Sequence, residues 1–206
     1  MSQQGDPRRG DPDPLIGSGA QQTSVLSDSG AVDGTRRPAR PVWNSGADLG
    51  LLVLRLVLGG TFVAHGCQKL FGLFGGPGVG GFADVLAGYG YRATEALAWV
   101  TGATELVGGA LVVLGLFTPL AAAGLLGIMV NAIALKWGNG FFAAPGGGFE
   151  LELALAAMSA ALVLGGPGRA ALDKGRSWFR HPVATGWICL LIGIGVGLLF
   201  FLLLRT

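Results

Sequence analysis

The sequence predicts an all-α protein: a polytopic transmembrane helix bundle with a four-helix core and a fifth, C-terminal spanning helix. Two observations carry that prediction. Of 206 residues, 51% are hydrophobic and only 13% are charged. The apolar residues also gather into runs of about 18 to 25, the length that crosses a ~30 Å hydrocarbon core at ~1.5 Å per residue. A formal net charge of +2 is too small to point to nucleic acid. The expected surroundings are the lipid bilayer and other membrane proteins.

Taken in order, residues 1–46 are rich in Gly, Asp, Pro, Ser and Arg and poor in large apolar residues. Such a segment buries too little surface to offset its ordering entropy, so it reads as a disordered cytoplasmic tail. It has no apolar signal-peptide core. The first span is expected over Asp48–Leu70, the second over Thr94–Phe117 and the third over Thr118–Trp137. Thr118 suits an N-cap and Pro119 the first helical position, which makes the second and third spans a tight hairpin. The fourth span is expected over Phe149–Gly165 and the fifth over Val183–Leu204. The stretches 71–93 and 138–148 read as loops. Gly59, Gly60, Gly102, Gly108, Gly109, Gly124 and Gly127 fall inside spans, where small residues let helix backbones approach closely.

Lys and Arg at the span ends set the expected orientation. Arg36, Arg37, Arg40, Arg169, Lys174, Arg176 and Arg180 fall on one side, against Lys69, Arg92, Lys136 and Arg205 on the other. This places the N-terminus in the cytoplasm and the C-terminus outside. Cys67 and Cys189 lie near opposite ends of different spans, too far apart for the ~7 Å Cα separation of a disulfide.

Ionisable residues inside spans are costly and mark function. Arg55, His65 and Lys69 share one face of the first span, with Gly59 and Phe62. Depth along the helices suggests Arg55–Glu105 as a buried ion pair. Nearer the outer surface, His65, Lys69, Glu95, Lys136 and Glu152 are candidates to ring one outward-facing cavity, with Glu150 at its edge. A lone histidine beside carboxylates can hydrogen-bond a quinone carbonyl or relay a proton. The residues give no metal site: there is no HExxH and no Cys/His zinc spacing. Two-histidine haem ligation is not expected, because His181 falls in a basic loop. Gly76, Gly78 and Gly81 fit GxGxxG, but they follow a spanning helix rather than a strand, which argues against a dinucleotide loop. No catalytic residue is evident from these patterns, and enzyme activity stays open.

The strings "LRLVLGGTFVAHGCQKLFGLFGGPGVGGF", "TELVGGALVVLGLFTPLAA", "KWGNGFF" and "FELELALAAMSAALVLGGPGRAALD" occur in the order seen in the DoxX family of bacterial membrane proteins. Over about residues 50–178 the chain resembles that family. The resemblance implies a four-helix membrane domain, at 47–178, in the bacterial plasma membrane. The added helix, at 183–204, carries no ionisable group and reads as an anchor or as a docking surface for another membrane subunit. Members are linked to quinone-dependent oxidoreductases and to oxidative-stress complexes. This implies an accessory subunit of a membrane redox complex. A non-catalytic scaffold and a permease-like or lipid-binding bundle are the alternatives. The family positions are Arg55, Gly59, His65, Gly66, Lys69, Phe71 and Gly72, then Glu105, Gly108 and Gly109, then Gly140, Phe141 and Phe142, then Glu152, and last Gly166, Pro167 and Gly168. Many members have histidine where this chain has Lys136, so a partner for His65 is missing.

Overall fold

The computed structural model describes residues 45–142, 147–173 and 182–205. The tail expected over 1–46 lies outside these residues, except that Ser45 and Gly46 already belong to the first helix. Lys174, Arg176, Arg180 and His181 also lie outside the described residues. Among the described residues six α-helices form: α1 (Ser45–Phe71), α2 (Gly78–Gly88), α3 (Thr94–Leu114), α4 (Thr118–Lys136), α5 (Glu150–Gly165) and α6 (Pro182–Leu204). Short 3₁₀ turns follow α1 and α4, at Leu73–Gly75 and Trp137–Asn139. There is no strand among the described residues.

Among the described residues four helices are long and apolar enough to cross a membrane: α1, α3, α4 with its following turn, and α6. The expected fourth span falls short of that length. With 16 residues α5 reaches ~24 Å, less than a ~30 Å hydrocarbon core. Its two ends nevertheless sit at opposite ends of the bundle. Glu152, in its first turn, pairs with Lys136 at the end of α4. Beyond its last turn, the carbonyls of Pro167 and Ala170 accept from Arg55, near the start of α1.

The expected loop over 71–93 contains α2. Val79, Phe82 and Leu86 recur at helical spacing, and Ala83 and Leu86 are buried against α3. The chain reaches α2 through a tight turn in which Gly72, Gly75 and Gly78 have φ of 67°, 74° and 65°. Gly76 lies so close to α1 that a Cβ would meet the Gln68 backbone at 2.5 Å. The glycine-rich run therefore folds a short helix back onto the bundle.

Two glycine seams hold the long helices together. Between α1 and α3, a Cβ on Gly59 would sit 2.6 Å from the Gly109 carbonyl oxygen, and one on Gly109 would sit 2.7 Å from that of Gly59. Between α4 and α6, a Cβ on Gly127 would sit 2.7 Å from the Gly193 carbonyl oxygen. Cβ atoms on Gly193 and Gly197 would strike the carbonyl oxygens of Ala123 and Gly127. Contacts this short exist only because no side chain intervenes. Leu58, Phe62, Val112, Leu125, Leu162 and Val163 fill the core between the seams.

The α3–α4 hairpin is capped differently from expectation. Phe117, at φ 48°, takes the N-cap position and Thr118 is already helical, with Pro119 in the first turn. The cap comes from a distant carboxylate. Asp173 accepts from the backbone N–H groups of Phe117 and Thr118 at 2.9 and 2.8 Å, while Thr118 Oγ1 is left without a partner.

A candidate membrane cavity

A cavity of about 650 Å³ opens within the half of the bundle that holds the ends of α1 and α4 and the start of α3. Each surrounding element contributes a recognisable part. From α1 come His65, Gln68 and Lys69; from α3, Thr101, Thr104 and Glu105; from α4, Asn131 and Lys136; and from α5, Glu152. The remaining wall is apolar. Helix α2 covers one side with Phe82, Val85 and Leu86, and α6 lines another with Ile192, Val196 and Phe200. A mostly apolar chamber with a few polar groups is the usual form of a small-molecule site.

Two ion pairs face this chamber. Lys69 Nζ lies 2.5 Å from Glu105 Oε1, and Lys136 Nζ lies 2.5 Å from Glu152 Oε1. In each pair only one carboxylate oxygen is used. Glu105 Oε2 and Glu152 Oε2 are buried and have no hydrogen-bond partner. Glu105 is wholly buried, so an unpaired oxygen there is costly. The Lys69 ammonium also sits 4.7 Å from the centre of the Phe82 ring, a cation–π contact that ties α2 to the pair. His65 is half-buried on the wall, and no side chain among the described residues hydrogen-bonds to it.

A second polar link closes the wall between α4 and α6. Tyr91 Oη donates to Asn131 Oδ1 at 2.7 Å, and Asn131 Nδ2 donates to the Gly197 carbonyl at 3.3 Å. Burial pushes the Tyr91 phenol above its ordinary range, partly offset by the Asn131 hydrogen bond and by Arg205. It therefore remains a neutral donor. At the same end Arg92 N–H donates to the Leu204 carbonyl at 2.8 Å, and Arg205 Nε donates to the Tyr89 carbonyl at 3.1 Å. The last turn of α6 is thus latched to the α2–α3 corner.

The structure brings together four of the five expected cavity residues: His65, Lys69, Lys136 and Glu152. Glu95 does not join them. It is exposed in the first turn of α3, where a carboxylate suits the positive end of the helix dipole. The expected Arg55–Glu105 pair does not form either. Glu105 pairs with Lys69, while Arg55 spends its guanidinium on four backbone carbonyls: Val112 at 3.0 Å, Val113 at 2.7 Å, Pro167 at 3.0 Å and Ala170 at 2.8 Å. Helical side chains lean toward the N-terminal end of their own helix. In the antiparallel α1 and α3, Arg55 and Glu105 therefore lean apart, whereas Lys69 leans down toward Glu105.

Sequence reasoning missed Tyr91 and the contribution of α6. A signal for α6 was present in the spacing of Gly193 and Gly197, the small-xxx-small pattern of close helix pairs. Its glycine face is occupied by α4 of the same chain, so that face is not available to another subunit.

No curated protein and no solved structure matches the chain. The family model for DoxX matches residues 50–137, from the first turns of α1 through the end of α4. Of the polar cavity residues, His65, Lys69, Glu105, Asn131 and Lys136 fall within that match, whereas Glu152 and the α6 wall lie beyond it. Over that stretch this multi-helix chain, with helices long and apolar enough to cross a membrane, is similar to the DoxX family.

Proposed function

We propose that this protein binds a quinone-type head group in the cavity and serves as an accessory subunit of a membrane redox complex. The observation that carries the reading is the pairing of a lysine donor with a free carboxylate oxygen at two places around the chamber. Lys69 and Lys136 supply N–H donors suited to the carbonyl oxygens of an oxidised head group. Glu105 Oε2 and Glu152 Oε2 are unused acceptors suited to the hydroxyls of the reduced form. His65 adds a group able to donate or accept. When bound, such a ligand supplies two-electron, two-proton redox chemistry. The chain's own residues bind it, orient it and hold protons at its oxygens. The apolar lining excludes water from those hydrogen bonds and so strengthens them.

The reading places the protein in the bacterial plasma membrane, with its N-terminus cytoplasmic, its C-terminus outside and the cavity near the outer face. Its test is equilibrium binding of a benzoquinone to the purified protein in lipid nanodiscs. Saturable binding is expected, weakened at least tenfold by His65→Ala and by Glu152→Gln. Wild-type affinity in both variants, or no saturable binding to the parent protein, rejects it.

A further inference from the structure

A second, shallower groove of about 350 Å³ runs along the outside of α3 and α4. Thr104, Leu120 and Gly124 line both this groove and the main cavity, so the two spaces share that stretch of wall. The groove faces lipid: Val107 and Leu120 are 55% and 64% exposed in helices long and apolar enough to span. The junction is aliphatic. Thr104 Oγ1 donates back to the Val100 carbonyl at 2.7 Å, which leaves its methyl toward α4. A Cβ on Gly124 would meet that methyl at 3.4 Å, ordinary packing distance rather than a clash. One turn further along, Gly108 packs more tightly on Leu125, whose side chain would lie 3.2 Å from an added Cβ. The α3–α4 contact is therefore slightly looser at Thr104 than at Gly108. Thr104 also lies one residue from Glu105, a lining residue of the chamber whose second carboxylate oxygen is buried without a hydrogen-bond partner.

We infer that the α3–α4 groove is a lateral portal for the hydrocarbon tail of a membrane-dissolved ligand, whose polar head sits in the chamber against Glu105. The ligand class is a single-tailed lipid, prenylated or alkylated, rather than a water-soluble molecule. This rests on the head-group reading above and deepens it. An all-aliphatic passage one residue from a buried, half-satisfied carboxylate suits a molecule with one polar end and one oily end. An ion or a sugar would find no polar partner along it.

The test compares a tail-less benzoquinone with a prenyl-tailed one in nanodiscs, using Ala103→Trp and Val107→Trp. Both positions are exposed and line only the groove, so the fold is not disturbed. The tailed quinone is expected to bind at least tenfold more weakly to each variant, with the tail-less one unchanged. Equal affinity of the tailed quinone for variants and parent overturns the portal. A separate arm uses a prenyl alcohol carrying a diazirine near its end. Saturable labelling of peptides holding Thr104–Leu111 and Leu120–Gly124, lost in Val107→Trp, is expected. Labelling spread evenly over the lipid-facing helices overturns the portal. This second arm decides the portal even where no quinone binds, an outcome that rejects only the head-group reading.

Discussion

The direction in which a helical side chain leans decides which buried charges meet. Lys69 reaches Glu105, and Arg55 reaches buried backbone carbonyls at the end of α3 and beyond α5. Removing one member of a buried pair leaves the other charge stranded, at about 3–5 kcal/mol. Lys69→Met should therefore destabilise strongly, and adding Glu105→Gln should restore most of the loss, because a neutral amide costs far less to bury. Thermal unfolding in detergent checks this; equal midpoints for the single and double variants would contradict the pair. Arg55→Lys should cost about 3 kcal/mol by abandoning carbonyls that a single ammonium cannot reach together. Combined with Glu105→Gln, its effect should be additive within ~0.5 kcal/mol, as expected for residues with no shared partner. A larger coupling would restore the Arg55–Glu105 pair. The residue types at the site were legible in the sequence, since charges within apolar runs stand out. Their partners were not, because lean and helix offset shift a contact by a full turn.

At the scale of elements, the span boundaries were legible to within a few residues, since long apolar runs ended by Gly, Pro or charge leave little freedom. Helix α2 was hidden by its own flanks: the glycines at 75, 76, 78, 80 and 81 read as a loop and masked the Val79–Phe82–Leu86 repeat. The glycine seams give the sharpest test of packing. Gly197→Leu should detach or tilt α6, because its new Cβ would strike the Gly127 carbonyl, whereas Gly195→Leu meets nothing within 4 Å. Gly59→Leu and Gly60→Leu form the same contrast on α1, where only Gly59 faces another backbone. Overpacking a tight contact costs about 1–3 kcal/mol or more, and backbone against backbone has little room to relax. The unfolding midpoint should fall clearly for Gly59→Leu and Gly197→Leu and stay within error for the other two. A similar fall in all four would mean that added bulk anywhere on these helices, not the seams, sets the response, since Leu exceeds Gly in helix propensity.

At the scale of the whole molecule, the contacts divide the bundle into two ends. Ser45, Gly115 and Leu172 belong to one, since Leu172 N–H donates to the Leu114 carbonyl and Asp173 N–H to that of Gly115, beside the start of α1. Arg92, Trp137 and Arg205 belong to the other, joined by the α6 latch and by the Lys136–Glu152 pair. The longer helices fix which residues share an end. They do not fix which end faces the cytoplasm, and that rests on the positive-inside rule. Arg169 lies at the first end, followed in sequence by Lys174, Arg176 and Arg180, so that rule predicts a cytoplasmic position for that end. Single cysteines placed in a background with Cys67→Ser and Cys189→Ser test both levels at once. A membrane-impermeant maleimide on intact cells should label Arg92→Cys and Trp137→Cys. Ser45→Cys and Leu172→Cys should label only after permeabilisation. A complete reversal would keep the fold and overturn the orientation, moving the cavity to the cytoplasmic face. Labelling of Ser45→Cys together with Trp137→Cys from outside would contradict the bundle itself, because those residues sit at opposite ends of helices long enough to span.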